Sequence, residues 1–216
     1  MDELTELCIK HLSDKFGSHT YTPIYSQYFE PIRNEKLRLL EIGYGGYGDP
    51  NQGGESARLW AEYFPNSEIV VTDIYPKNIA KNERFVFKQG NQTDEIFMKS
   101  LGKFDIIIDD GSHVSDDIIK TFEFMFFQLN MGGIYIIEDT QTAYWQNFSH
   151  PYRRTTDYFK VLTDGLNYNE IKSTGYMPTY LDRFIFAIHF YHNLIIIFKG
   201  DNTEPSNVVK NQYFSE

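Results

Sequence analysis

The sequence predicts an α/β fold in which a mostly parallel, seven-stranded sheet ends in an antiparallel hairpin and has helices on both faces. Two observations support this prediction. Apolar runs alternate with helical patterns through the first two-thirds of the chain, which is typical of parallel strands joined by crossover helices. Towards the C-terminus, the apolar runs 183–190 and 194–200 are separated by only three residues, which predicts a hairpin.

The individual elements follow from local signals. Five parallel strands are predicted at 37–43, 68–74, 84–90, 104–109 and 133–139. Helices are predicted at 55–64, at 114–129 with Asn130 and Gly132 ending the helix, and from about Thr155 to Leu166. The first 35 residues are predicted to form a helix and an aromatic, polar segment at 14–29. That segment either covers the functional site as a lid or packs on the sheet edge.

Composition limits the classes of function. With 216 residues, 41% of them hydrophobic, and no linker or repeat, residues 1–216 are predicted to form a single domain. The net charge of −10 argues against nucleic-acid and anionic-membrane partners, which both need a basic surface. One cysteine, Cys8, excludes an intramolecular disulfide and a cysteine-based zinc cage. The acidic N-terminus and the lack of any apolar run near ~18 residues predict a cytoplasmic protein.

A glycine-rich loop follows the first strand. It contains Gly43, Gly45, Gly46 and Gly48. Their spacing fits the G-x-G-x-x-G pattern of dinucleotide sites, in which the helix starts within the motif. Here Asp49 and Pro50 interrupt the chain, and the helix is predicted to begin only near Glu55. This longer, acidic loop, with Glu41 before it, favours a cationic sulfonium ligand over a diphosphate.

Polar residues after the second and third strands are candidate cofactor contacts. Asp73 ends the second strand, where an acidic side chain accepts hydrogen bonds from the ribose hydroxyls of a nucleotide. Asn91 and Gln92, in the segment after the third strand, are placed to contact an adenine edge. An alternative interpretation of that segment is a polar turn in which Thr93 caps a helix.

Two pairs of acidic residues end the fourth and fifth strands. These pairs are Asp109 with Asp110 and Glu138 with Asp139. Because neighbouring strands are ~4.8 Å apart, the four carboxylates are expected to face each other and to need a cation. No Lys or Arg is close in sequence, and oxygen ligands favour Mg²⁺, Mn²⁺ or Ca²⁺. The alternative is that each pair ends its strand and caps the following helix.

His113 follows the first acidic pair by three residues. Its neutral imidazole is placed to take a proton from a hydroxyl group held on the metal, which is general-base chemistry near neutral pH. The alternative is a residue at a helix N-terminus that hydrogen-bonds to Asp116 or Asp117.

Several motifs together resemble a known family. EIGYGGY, DPNQGGES, GNQTD, FDIIIDDGSH and IIEDTQTAYW resemble the metal-dependent sugar O-methyltransferases of macrolide biosynthesis, of the mycinamicin type, and the related cephamycin-biosynthesis methyltransferases. The segment DKFGSHTYTPIYSQYF is similar to the one that precedes the catalytic domain in many members. The resemblance runs from about Asp14 to Trp145. It implies the Rossmann-like class I methyltransferase fold, in which five parallel strands are closed by an antiparallel pair.

The resemblance also implies roles for individual residues. The resemblance places the expected cofactor, S-adenosylmethionine, along the loop from Glu41 to Gly46, which includes Gly43 and Gly45, with Asp73 on the ribose. Asn91, Gln92 and Asp109 complete the predicted cofactor set. Magnesium, or manganese in its place, would be held by Asp110, Glu138 and Asp139, with His113 as the base. The implied reaction moves a methyl group to a hydroxyl of a small molecule, expected to be a sugar or a nucleotide-linked sugar. A homo-oligomer is also expected.

The chain differs from the family in two features, and several assignments have alternatives. The macrolide enzymes have a large additional N-terminal region, and relatives often read GDQSD where this chain reads GNQTD, which affects the role of Asn91. A catechol-like acceptor, a nicotinamide-dependent oxidoreductase and a non-catalytic cofactor-binding subunit are the alternative functions. Tyr144 and Trp145 are either a platform for a sugar face or core anchors. Arg153 and Arg154 either hold a phosphate or lie in a solvated loop.

Overall fold

The computed structural model describes residues 1–81, 83–172 and 175–206. Within them, seven strands form one sheet: β1 (Arg38–Ile42), β2 (Glu68–Asp73), β3 (Phe85–Gln89), β4 (Phe104–Asp109), β5 (Leu129–Ile137), β6 (Ile185–Tyr191) and β7 (Leu194–Lys199). Their order across the sheet is β3-β2-β1-β4-β5-β7-β6. Strands β1 to β5 are parallel, whereas β7 lies antiparallel between β5 and β6. The predicted parallel sheet with an antiparallel C-terminal hairpin is confirmed.

Helices precede the sheet and connect its strands. They are α1 (Glu3–His11), α2 (Thr22–Phe29), α3 (Glu55–Tyr63), α4 (Glu95–Ser100), α5 (Ser115–Gln128), α6 (Thr155–Gly165) and α7 (Tyr180–Phe184). Short 3₁₀ turns occur at Glu30–Ile32, Thr140–Tyr144 and Tyr168–Glu170. None of the helices in the described part of the chain is long and apolar enough to cross a lipid bilayer.

Apolar side chains pack on both faces of the sheet, because neighbouring residues of a strand point to opposite sides. On one face, Leu39 of β1 belongs to a cluster with α1, α2 and α3 that contains the fully buried Trp60. On the other face, Leu40 belongs to a cluster with α4, α5 and α6 that contains Phe122. The predicted helices on both faces are therefore confirmed.

The sheet order creates a crevice between β1 and β4. These strands are neighbours, although β2 and β3 separate them in sequence. In open α/β sheets, ligands bind at the carboxyl ends of strands where the order reverses in this way. The glycine-rich loop follows β1 and the first acidic pair closes β4, so both lie at this crevice.

The boundary between α5 and β5 differs from the prediction. Helix α5 ends at Gln128, and Leu129 is already extended, with φ of −74° and ψ of 132°. Asn130 and Gly132, expected to end the helix, instead lie within the strand. The side chain of Asn130 donates a hydrogen bond to Asp105 Oδ1 at 2.7 Å, a tertiary contact that local helix signals do not reveal.

Candidate active site

Two acidic segments meet at the carboxyl edge of the sheet. Asp109 of β4 is in register with Ile137 of β5, so Asp110 and Glu138 come next at adjacent strand ends. Backbone hydrogen bonds between neighbouring strands extend one residue beyond these strand ends. Glu138 N donates to Asp109 O at 3.0 Å, and Asp110 N donates to Ile42 O at 2.9 Å. The predicted proximity of the two strand ends is confirmed.

A buried lysine lies among these carboxylates. The Nζ atom of Lys15 is 2.8 Å from both carboxylate oxygens of Glu138, 2.9 Å from Asp110 Oδ2 and 3.6 Å from Glu41 Oε1. Its side chain is 1% exposed. The sequence shows no Lys or Arg close to the acidic pairs, yet the counter-ion comes from a position 95 residues before Asp110. The resembling segment DKFGSHTYTPIYSQYF contains this lysine and was the available signal for it.

Three carboxylates and one ammonium share this space, so the ionised cluster carries an excess of negative charge. Burial raises the pKa of Glu138 well above its usual value, and the neighbouring Asp110 raises it further. Burial also raises the pKa of Glu41 to about 7. Burial alone would lower the pKa of Lys15, but the surrounding carboxylates raise that pKa well above its usual value. Lys15 therefore stays protonated, and the cluster balances the charge of its remaining carboxylates by taking up protons or a further cation.

The segment between α1 and α2, with the first turns of α2, covers the acidic cluster. Tyr25 OH donates to Glu138 Oε1 at 2.6 Å, and Tyr21 OH donates to Asp139 Oδ1 at 2.8 Å. His19 Nε2 lies 3.5 Å from the same Asp139 oxygen, and its ring stacks on that of Tyr21 with centroids 4.6 Å apart. The segment therefore contacts the acidic side chains directly. Its opening and closing as a lid stays a prediction.

Asp110, His113 and Asp139 form the solvent-accessible part of the cluster. Ligand atoms of the three residues all lie within 4.8 Å of one another, and His113 Nε2 is 3.8 Å from Asp139 Oδ2. Carboxylate oxygens are the ligands that Mg²⁺ and Mn²⁺ prefer, and an imidazole at this distance serves as a ligand or as a base. The predicted metal set contains Glu138 in place of His113. Glu138 is buried and accepts hydrogen bonds from the N-terminal segment, so both sets stay predictions.

His113 and Asp139 share an unusual backbone conformation. Their φ angles are 56° and 53°, in the left-handed region that is rare for residues other than glycine. The hydroxyl oxygen of the buried Thr142 lies 2.9 Å from the carbonyl oxygen of each. Such backbone strain costs roughly 1–3 kcal/mol per residue and is concentrated at functional sites. Thr142 lies in the resembling motif IIEDTQTAYW, but no role is predicted for it from the sequence; in the structure it links the two residues. His113 makes no hydrogen bond to Asp116 or Asp117 within the described residues, so that alternative is wrong.

The glycine-rich loop passes very close to other backbone. A Cβ on Gly43, whose φ is +102°, would lie 2.1 Å from Asp110 O, and one on Gly46 would lie 2.3 Å from Gln52 O. Only glycine fits these two positions. Helix α3 begins at Glu55, as predicted, so the loop is longer than that of a dinucleotide fingerprint.

Glu41 and Asp73 lie at the two sides of this loop. Glu41 is fully buried, and its Oε1 accepts a hydrogen bond from Trp60 Nε1 at 2.9 Å. Asp73 ends β2, and its two carboxylate oxygens accept from Tyr44 N at 3.0 Å and Tyr75 N at 2.8 Å. Asp73 is therefore fixed at the crevice, where the ribose of the cofactor is expected. The cofactor roles of both residues stay predictions.

Asp109 does not join the acidic cluster, so the expectation that all four carboxylates face each other is wrong. Successive residues of a strand point to opposite faces, and Asp109 points away from Asp110. Its carboxylate accepts from Gln92 Nε2 at 3.1 Å, and burial raises its pKa to about 7. Gln92 Oε1 in turn accepts from Ser112 N at 2.7 Å. The buried pair of Asp109 and Gln92 therefore holds the turn before His113 in place. Direct contact of either residue with the cofactor stays a prediction.

Asn91 lies in an exposed turn after β3, next to the buried Gln92. Asn91 Oδ1 accepts from Thr93 N at 2.9 Å, which leaves the amide nitrogen of Asn91 at the surface. The interpretation of Thr93 as a helix cap is wrong, because Asp94 is the N-cap residue of α4 and accepts from Ile96 N at 3.0 Å. Contact of Asn91 with an adenine edge stays a prediction.

The aromatic and basic residues after β5 lie at the surface. Tyr144 is 61% exposed and Trp145 is 52% exposed, so the interpretation of these residues as core anchors is wrong. The Arg154 guanidinium lies 5.4 Å from the centroid of the Tyr144 ring. Both arginines have acidic partners: Arg153 is 3.2 Å from Asp116, and Arg154 is 2.6 Å from Asp157. The solvated-loop interpretation of the arginines accounts for these contacts.

Known proteins resemble the chain over almost its whole length. No protein-family model matches it. The chain is 40% identical over 214 residues to demethylmacrocin O-methyltransferase of Streptomyces fradiae, covering 94% of this chain and 54% of that protein. It is 38% identical over 209 residues to 8-demethyl-8-alpha-L-rhamnosyl tetracenomycin-C 2'-O-methyltransferase of Streptomyces olivaceus, covering 93% and 55%. The chain therefore spans about half the length of the curated relatives it matches.

A solved structure has the same fold. MycE methyltransferase from the mycinamycin biosynthetic pathway, in complex with Mg, SAH and mycinamycin VI, matches with a TM-score of 0.90 and 36% sequence identity. The match covers 98% of this chain and 57% of that one. The class I methyltransferase fold is thereby confirmed. The chain is similar to the sugar O-methyltransferases of macrolide biosynthesis, the family that its motifs resemble.

Proposed function

We propose that this chain transfers a methyl group from S-adenosylmethionine to a hydroxyl group of a sugar and that the reaction depends on Mg²⁺. The cluster of Asp110, His113 and Asp139 carries the proposal, because it lies at the ligand-binding crevice of a methyltransferase fold. MycE, whose fold this chain matches, was solved with Mg and SAH, and the S. olivaceus relative is named as a 2'-O-methyltransferase of a rhamnosyl compound.

The carboxylates at the crevice fit a divalent cation. Asp110, Glu138 and Asp139 would hold Mg²⁺, or Mn²⁺ in its place, and the excess of negative charge around Lys15 favours such an ion. A carboxylate has about four acceptor positions, so the three hydrogen bonds that Glu138 accepts leave one for a metal. When bound, the ion would lower the pKa of a hydroxyl group that it coordinates.

His113 is the proposed base. Its Nε2 lies 3.8 Å from Asp139 Oδ2 on a side chain that is 27% exposed, and it would take the proton from the acceptor hydroxyl as the oxygen attacks the methyl group. The Thr142 hydroxyl, whose single proton is shared between the carbonyl oxygens of His113 and Asp139, would keep the imidazole in this place. Because the methyl donor is already activated, the remaining contribution of the protein is orientation.

The cofactor is proposed to lie along the loop from Glu41 to Gly46, with its ribose on Asp73. The length of this loop before α3 argues against the alternative nicotinamide site. The exposed rings of Tyr144 and Trp145 suit an apolar sugar face at the acceptor side. A nucleotide-linked sugar as acceptor, a cytoplasmic location and assembly into a homo-oligomer stay predictions.

Turnover with S-adenosylmethionine tests the proposal. Sugars and glycosylated natural products with vicinal hydroxyls are compared with catechols, each in Mg²⁺, in Mn²⁺ and in EDTA. Methylation of a sugar hydroxyl that is lost in EDTA would support the proposal. Methylation of catechols alone would assign the alternative acceptor class, full activity in EDTA would reject the metal, and absence of any methylated product would favour a non-catalytic cofactor-binding subunit.

A further inference from the structure

Lys77 lies against the glycine-rich loop and donates hydrogen bonds to its backbone. The Nζ atom is 2.5 Å from Gly45 O, 2.7 Å from Tyr47 O and 3.1 Å from Asp49 O. A fourth carbonyl oxygen, that of Gln52, is 3.5 Å away. An ammonium group has three protons, so the three shorter contacts satisfy it fully. Lys77 therefore joins the segment after β2 to three alternate residues of the loop.

The next residue extends this contact. Asn78 N donates to Pro50 O at 2.8 Å, and Asn78 Nδ2 donates to Asn51 Oδ1 at 2.8 Å. Within the loop itself, Asp49 N donates to Gly46 O at 3.1 Å, Asn51 N donates to Asp49 Oδ1 at 2.9 Å, and Gln52 N makes a longer contact with Asp49 O at 3.4 Å. The loop from residue 45 to residue 51 is thus held mainly from outside, by two consecutive residues of another segment.

The contacts with Lys77 also fix which way the loop presents its N–H groups. All peptide bonds among the described residues are trans, so the N–H of each peptide unit points opposite to its C=O. The carbonyl oxygens of Gly45 and Tyr47 face Lys77, and hence the N–H groups of Gly46 and Gly48 point away from it. In the part of the chain that the structure describes, these two N–H groups donate to no protein atom. They are available to an anionic ligand.

The loop would not hold this shape by itself. Gly45 and Gly46 have φ of +82° and +70°, and Tyr47 has φ of 46°, in the left-handed region that costs a residue other than glycine about 1 kcal/mol or more. Three hydrogen bonds from a charged donor offset that cost. We propose that Lys77 is a positioning residue for cofactor binding. It fixes the loop so that the Gly46 and Gly48 N–H groups receive the carboxylate of the amino-acid end of S-adenosylmethionine. This inference rests on the proposed function.

Calorimetric titration of S-adenosylhomocysteine into wild type and Lys77→Met tests the inference. We expect the Kd of the variant to rise roughly tenfold or more, because the charged hydrogen bonds that order the loop are lost. The KM for S-adenosylmethionine should rise in parallel, with kcat at saturating cofactor within about twofold of wild type. Lys81→Met is the matched control: it removes the same charge four residues later, at an exposed side chain that has no partner among the described residues.

Each outcome supports or overturns the positioning role of Lys77. A raised Kd in Lys77→Met with unchanged Mg²⁺ affinity and unchanged Lys81→Met would support the role in positioning. An unchanged Kd would overturn it. A joint loss of cofactor affinity, Mg²⁺ affinity and thermal stability would also overturn it, because Lys77 would then support the fold in general. Absence of cofactor binding in wild type would reject the proposed cofactor, and with it the role given to Lys77.

Discussion

The ammonium of Lys15 lies 2.8 Å from both carboxylate oxygens of Glu138, a residue 123 positions later in the sequence. Both side chains are almost fully buried. The pair joins the N-terminal segment to the carboxyl end of β5, beside the proposed metal ligands. A buried ion pair adds little stability compared with an apolar replacement of both partners, but loss of one partner leaves an uncompensated charge.

Lys15→Met should lower the free energy of unfolding by roughly 3–5 kcal/mol, because Glu138 would stay buried without its counter-ion. Urea denaturation at pH 8 and pH 5 measures this. The loss of stability in Lys15→Met should be smaller at pH 5, because the carboxyl group of Glu138, whose pKa is raised, takes up a proton there. Lys10→Met is the control, because its ion pair with Glu62 is exposed and is worth at most about 1 kcal/mol. Equal losses in the two variants would contradict the role of burial.

Glu41→Gln should remove a pH dependence of stability. Burial raises the pKa of Glu41 to about 7, against about 4.3 in an unfolded chain. Between these values the folded state binds the proton more tightly, so this group makes stability fall as pH rises through the window. The wild type should therefore lose roughly 3 kcal/mol relative to the variant between pH 4 and pH 8. If the free energy of unfolding changed with pH in the same way in both proteins, the raised pKa of Glu41 would be contradicted.

Local signals were sufficient for the number and order of the strands and for the acidic residues that follow β4 and β5, but not for the start of β5 at Leu129. FDIIIDD and IIED predicted where β4 and β5 end, because buried strands stop at charged residues and the parallel order makes the ends neighbours. Lys15 could not be predicted in this way, since only the folded chain brings it to Glu138. The orientation of Asp109 was predictable, because alternation along β4 places consecutive side chains on opposite faces.

Thr142→Val should lower kcat while leaving the fold intact. Valine has the same shape but cannot donate to the carbonyl groups of His113 and Asp139, whose left-handed backbone would then relax. We expect roughly a 10-fold or larger fall in kcat and a loss of stability of about 1–2 kcal/mol. Thr156→Val is the control, since the buried Thr156 hydroxyl has no hydrogen-bond partner among the described residues. Wild-type kcat in Thr142→Val would remove the positioning role.

His113→Ala should lower kcat by roughly 10²–10⁴-fold if the imidazole is the base. Binding of S-adenosylhomocysteine should be unchanged, because the proposed cofactor contacts lie on the loop after β1. Calorimetric binding and steady-state rates measured on the same preparation separate the two effects. A rate within a few-fold of wild type would show that another group takes the proton.

The proposed metal site is tested most directly by calorimetric titration of Mg²⁺ into protein saturated with S-adenosylhomocysteine. Wild type, Asp139→Ala and Glu138→Gln are compared. We predict one ion per chain in wild type and loss of binding in Asp139→Ala, because that carboxylate belongs to both candidate ligand sets. Weakened Mg²⁺ binding in Glu138→Gln would assign Glu138 as a ligand. Unchanged Mg²⁺ binding would favour the ligand set of Asp110, His113 and Asp139. Absence of Mg²⁺ binding in wild type, or full binding in Asp139→Ala, would contradict the metal site.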